Sequence, residues 1–193
     1  MRRLSRTAPL PLCWAGIALS AAVNAAGAPT SYTLQAALSR LEFAGTQAGA
    51  QFKAEFHKFT AAIDFDPDAL AASSFDVLID LNSVDSQDND RDSTIRGPYL
   101  YDVAHWPTAH YVARSFTKTA AGFSATGALT LRGVTKDVPI DFQFTTSAAG
   151  AKLDGTANLK RLDFGVGQGD WKSTEGVKDE VKINFSLVLT PKH

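Results

Sequence analysis

The sequence predicts an all-β domain, closed into a small antiparallel barrel with one or two short helices at its mouth. Apolar residues alternate with polar ones along most of the chain, the period-two signature of half-buried strands. Turn signals recur at short intervals, at Asp66-Pro67-Asp68, Gly122, Arg132-Gly133, Ala149-Gly150 and Asp154-Gly155. A single long connection, from Ser83 to Trp106, interrupts that rhythm.

The N-terminus stands apart from this pattern. Arg2, Arg3 and Arg6 precede an uncharged, mostly apolar run from Leu10 to Val23, and Val23-Asn24-Ala25 offers a signal-peptidase site. A second small-residue site, Ala26-Gly27-Ala28, is obstructed by Pro29. The run is too short for a spanning helix. Residues 1–25 therefore read as a cleaved signal peptide and 26–193 as one domain, exported to the periplasm if the cell is Gram-negative. Losing three arginines takes the formal charge from −1 to −4, which gives no electrostatic reason to bind nucleic acid. The only cysteine, Cys13, falls in the signal, so the exported chain has no disulfide, thiol nucleophile or thiolate-held metal.

The strands follow in order. Ser31–Leu34 is the first, and Leu41 and Phe43 then alternate with Glu42. The alternation lapses over Gly45–Ala54, where a helical turn is expected. It resumes with Phe59, Ala61, Ile63 and Phe65, and again with Val77, Ile79 and Leu81. Ser86–Arg96 reads as a short helix, with Ser86 as N-cap, aspartates in its first turn and Gly97-Pro98 as its stop. His110–Thr117 is a strand. In the next, Phe123, Ala125, Gly127, Leu129 and Leu131 share one face. Val138, Ile140, Phe142 and Phe144 share another, where Pro139 implies an edge, a bulge or a strand start. Lys152–Leu162 and Val177–Thr190 complete the set.

A barrel is favoured over a sandwich by the inward face. It gathers most of the twelve phenylalanines, with the small residues Ala61, Ala125 and Gly127 among them. Large rings at the ends and small residues at mid-strand would leave a narrow apolar tube. A bulky residue at Gly127 is then expected to block that tube.

Other motifs fail on context. Asp163-Phe164-Gly165 lacks every companion of the kinase metal motif, and Gly165, Gly167 and Gly169 open no crossover helix. Asp88, Asp90 and Asp92 have calcium-loop spacing, but Ser93 and Tyr99 stand where the loop needs Gly and Glu. His57, His105 and His110 have no zinc-protease spacing, and no Gly-x-Ser-x-Gly elbow is present. These absences point away from an enzyme and from any resident metal or cofactor.

Five segments in order resemble a known family. They are Phe56 through Phe59 and Ile63 to Asp66; Ser83–Asp85 with Arg91–Ile95; Tyr101–Ala109; Thr126–Thr135; and Arg161–Gly165. Together, over about Ser31 to Leu189, they resemble the YceI-like, polyisoprenoid-binding periplasmic proteins. Glycine is common before the family's first Phe, where this chain has Ala54 and Glu55. The resemblance implies a lipocalin-like, eight-stranded antiparallel barrel holding a long isoprenoid tail, as a polyprenyl phosphate or a quinone. The Gly167–Trp171 run is similar to the branch found with membrane b-type cytochromes, which makes such a cytochrome a candidate partner; a homodimer is another.

The tunnel-lining candidates are Phe43, Phe59, Ile63, Phe123, Gly127, Leu129, Phe142 and Phe185 on strands, with Trp106, Phe164 and Trp171 in irregular segments. The latter rings either plug a barrel end or shape a tunnel mouth. For an anionic head group the foremost cations are Arg91 and Arg161, with Arg96 and Lys172 nearby in sequence. The expected function is non-catalytic carriage of a polyisoprenoid lipid. The rival is an interaction or stress-protective protein whose barrel is filled by side chains, and a small-substrate hydrolase on the same barrel is a third reading.

Overall fold

The computed structural model describes residues 28–192, so the expected signal segment, residues 1–25, lies outside the described residues. Eleven strand segments form one antiparallel sheet: β1 (Thr30–Leu34), β2 (Arg40–Gln47), β3 (Ala50–Phe56), β4 (Phe59–Phe65), β5 (Ser74–Asp80), β6 (Val84–Asp85), β7 (Thr108–Thr119), β8 (Gly122–Leu131), β9 (Val134–Ser147), β10 (Gly150–Lys160) and β11 (Glu180–Pro191). Helix α1 (Asn89–Arg96) lies between β6 and β7. Pairing of β1 with β11 closes the sheet into a barrel of eight staves. Three staves are composite: β1 continues as β2, β3 as β4 and β5 as β6.

Each composite stave bends where its strand breaks, and hydrogen bonds hold the bends together. Gln35 donates its amide to Val188 O, and the Ser39 hydroxyl accepts the Val188 amide. At the next two bends, His57 N reaches Ser83 O and Asp80 N reaches Lys58 O. The backbone groups freed by the breaks thus keep partners.

Two expectations about helices are corrected. The Gly45–Ala54 region is the β2–β3 hairpin, because Ala48 and Gly49 both take positive φ (49° and 81°), the geometry of the tight turn that matches strand twist. Helix α1 begins later than expected. Its N-cap is Asp88, whose carboxylate accepts from the amides of Asp90 and Arg91. Ser86 instead gives its own amide to the buried Asp92 carboxylate at 2.8 Å. Pro139 lies opposite Thr126 of β8 but just beyond the last residue of β9 that pairs with β10, an edge position that needs no amide.

The two barrel ends are closed differently. One holds a cluster of rings centred on Phe65, which meets Phe75, Phe116, Phe123, Phe142 and Phe144 at centroid distances of 4.8–5.8 Å. The edge-on pairs among these, with Phe123, Phe142 and Phe144, contribute about 0.5–1.5 kcal/mol each beyond burial. The other end is covered by α1 with the segment that follows it and by residues 161–179. The Tyr99 carbonyl ties these covers together by accepting the amides of Gly167 and Gln168. Arg132, in the β8–β9 turn, adds a 2.8 Å bond to Leu100 O.

Candidate functional site

Between the ring cluster and the covered end, inward residues from all eight staves fail to meet. They leave a central cavity of about 130 Å³, with Phe59, Ile63, Val77, Leu129, Leu153 and Phe185 among its walls and no charged side chain. An apolar space of this size stays dry. Left unfilled, it costs on the order of 3 kcal/mol in lost contacts, which an apolar guest would recover.

A neck of about 80 Å³ adjoins the cavity, sharing Tyr101, Leu131, Leu159 and Ile183 with it. Four rings crowd this level: Phe43 stands 6.1 Å from Phe52, 5.6 Å from Phe56 and 6.3 Å from Tyr101. Burial pushes the Tyr101 phenol above its ordinary pKa, so it stays a neutral hydroxyl. The Tyr111 hydroxyl, lower in the barrel, is already satisfied by Val138 O at 3.1 Å.

Beyond the neck the space widens to a mouth of about 340 Å³, which shares Phe52, Ile95, Leu100 and Val177 with the neck. Its outer wall is Gln47, Asp88, Asp90, Arg91, Thr94 and Trp171. The Arg91 guanidinium lies over the Phe52 ring, 4.9 Å from its centroid, and 3.3 Å from Asp88. Its Nε is buried with no hydrogen-bond partner.

The sequence-derived candidates separate along this path. Phe59, Ile63, Leu129 and Phe185 line the central cavity, Phe43 and Phe164 line the neck, and Arg91 and Trp171 stand at the mouth. Phe123 and Phe142 lie in the ring cluster, stacked 5.6 Å apart, rather than on the cavity wall. Trp106 is 43% exposed and covers Gly133 outside the tunnel; a Cβ there would come within 2.7 Å of its ring.

Gly127 is a correction of a different kind. It is not a gap in the tunnel wall but a seat for Tyr111: an added Cβ would lie 2.5 Å from the Tyr111 ring and 2.7 Å from Val112 O. A bulky residue there would push strands apart instead of blocking an intact tunnel. Even Gly127→Ala should cost on the order of 2 kcal/mol of stability. Urea unfolding checks this, and an unchanged midpoint would refute it.

Arg161 sits behind the mouth. Its guanidinium is buried and donates to five carbonyls, those of Val166, Trp171, Ser173, Val177 and Lys178, at 2.7–3.1 Å. Those bonds shape the 161–179 cover and leave the group no free edge for a head group. Burial lowers its pKa despite the nearby Asp179 carboxylate.

Sequence reasoning missed Phe52, Phe56 and Ile95 as wall residues. Reading Ala48-Gly49 as a hairpin turn would have placed Phe52, Ala54 and Phe56 on one face of β3 and found both phenylalanines.

An apolar cavity and neck, leading to a polar-walled mouth at one end and stopped by rings at the other, lie within the span that the YceI-like domain family matches, residues 32–189. The chain belongs to the YceI-like family. A UPF0312 protein of Yersinia pestis is 32% identical over 117 residues, 58% of this chain and 61% of that protein. The matched part thus spans about three-fifths of the length of such curated relatives. Among solved structures, Burkholderia cenocepacia BcnA aligns over 80% of this chain and 98% of its own, at 31% identity and TM-score 0.76. A YCEI protein of Campylobacter jejuni aligns over 75% and 86% at 26% identity and TM-score 0.64. A polyisoprenoid binding domain from Saccharophagus degradans, 20% identical over 84% of this chain and 99% of its own, shares the fold at TM-score 0.66. The eight-stave barrel expected from the sequence is therefore the YceI fold.

Proposed function

We propose that this YceI-like protein is a non-catalytic carrier of a polyisoprenoid lipid in the periplasm. The observation that carries the reading is the apolar cavity and neck, which run from Ile63 and Phe75 deep in the barrel to the polar-walled mouth beside Trp171. A flexible prenyl tail suits such a path, since its affinity grows with apolar area buried at about 25 cal/mol per Å², less its ordering cost. The polyisoprenoid-binding domain that shares the fold supports the same ligand class. The periplasmic assignment rests on the signal-like residues 1–25. A quinone serving a neighbouring b-type cytochrome and a polyprenyl phosphate in transit are the two versions of the cargo.

Organic extraction of the protein purified from its own periplasm, followed by mass spectrometry, should release a prenyl lipid. Repeated absence of such a lipid, with no uptake of an added prenyl quinone or prenyl phosphate, would sink the carrier reading. The ring-filled end would then stand as part of a barrel built for interaction alone.

A further inference from the structure

The apolar spaces are small against a long prenyl tail. A dry cavity of roughly 150 Å³ walled by aliphatic and aromatic side chains takes one benzene, a guest of about six carbons. The central cavity, at about 130 Å³, therefore has room for about one five-carbon isoprene unit, and the neck, at about 80 Å³, for most of a second. Beyond the neck, the mouth is walled in part by Asp88, Asp90 and Arg91. A third unit lying there keeps much of its contact with water and polar groups, so it gains little.

Below the cavity the tail meets Phe75. Of the rings clustered at that end, Phe75 alone borders the cavity, while Phe65, Phe116, Phe123, Phe142 and Phe144 lie behind it. Its ring is braced on three sides, 4.8 Å from Phe116, 5.3 Å from Phe142 and 5.8 Å from Phe65. Its backbone lies within the sheet, paired with Ile63 of β4 and Ala113 of β7. A close-packed floor carried on paired strands does not yield to a flexible tail, because moving one ring disturbs all of its neighbours.

Resting on the carrier reading, we infer that the barrel shelters only about two isoprene units, and that Phe75 is the specificity-determining residue that ends the count. A prenyl chain of that length is enclosed whole. A longer tail gains little from its further units, which stay in the mouth or in water.

The test titrates delipidated full-length protein with prenyl alcohols of one, two, three and four isoprene units, which share one small neutral head group. The second unit should raise affinity by on the order of 100-fold, and the third and fourth by under about five-fold each. Phe75→Ala removes a ring about the size of one further unit, so in that variant the third unit should gain at least about 20-fold. Phe123→Ala deletes a ring of the same cluster that does not border the cavity, and the break should stay after the second unit. Binding of none of the alcohols would overturn the carrier reading itself. A steady gain through all four units in the unaltered protein would overturn the two-unit limit and leave carriage intact. A break unmoved in folded Phe75→Ala, or moved equally by Phe123→Ala, would remove Phe75 from the role. If Phe75→Ala does not fold, Phe75→Leu decides. Its third unit should gain at least about ten-fold, and a gain no larger than that of the unaltered protein would again remove Phe75 from the role.

Discussion

Arg161→Ala should destabilise the barrel by about 3–5 kcal/mol, among the largest effects of any single substitution in this chain. The loss follows from what the guanidinium does. It gathers the carbonyls of Val166, Trp171, Ser173, Val177 and Lys178 from a segment with little regular structure of its own. Hydrogen bonds to a charged donor are stronger than neutral ones, and each buried acceptor left without a donor costs about 1–3 kcal/mol. Some of the five carbonyls would recover water, which keeps the total well below the sum. At this chain length the change should lower Tm by on the order of 10 °C. Arg161→Lys should recover only a minor part, because a point-like ammonium cannot span five acceptors on two sides. The segment also supplies Phe164 and Val166 to the neck and Trp171 to the mouth, so lipid retention should fall with stability. A loss under about 1 kcal/mol in urea unfolding would show that the cover holds its shape without this residue.

The same arginine shows what a sequence conceals. As a cation between a strand and a glycine-rich run it suggests an anion site, yet nothing local reveals that carbonyls up to seventeen residues away converge on it. The barrel was easier to read. Alternation survives wherever one face meets the interior and the other meets water, and β4, β8 and β9 show it residue by residue. It lapsed at Gly45–Ala54 because Ala48 adopts positive φ without being glycine, so the hairpin carries only half of its usual signature. Gly127 was placed on the correct face but given the wrong role. A glycine opposite a tyrosine marks close approach, and distinguishing that from open space needs the position of the Tyr111 ring. Trp106 and Trp171 likewise look alike in sequence. One covers a turn glycine outside the barrel and the other borders the mouth, a difference set by long-range contacts.

Ala157→Phe should abolish lipid loading while leaving the fold in place. Ala157 is buried on the inner face of β10, lines the central cavity, and pairs with Ile140 on one side and Ile183 on the other. A ring projecting from it enters unfilled space instead of a neighbouring strand, which is what separates this position from Gly127. Overpacking strain of about 1–3 kcal/mol would be offset by recovering contacts worth about 3 kcal/mol that the empty cavity forgoes. Stability should therefore change little. Binding should change greatly, since each isoprene unit kept out of the barrel forfeits roughly 4 kcal/mol of burial before ordering costs are subtracted. Exclusion of a single unit is enough to weaken affinity by on the order of 100-fold. Asn158→Phe is the matched control, because the adjacent residue faces solvent on the opposite side of the same strand. Titration of delipidated protein and extraction of the native form should show loading lost in the first variant and kept in the second. Full loading of a folded Ala157→Phe protein would mean that the tail lies elsewhere, and the central cavity would then be a packing defect with no cargo.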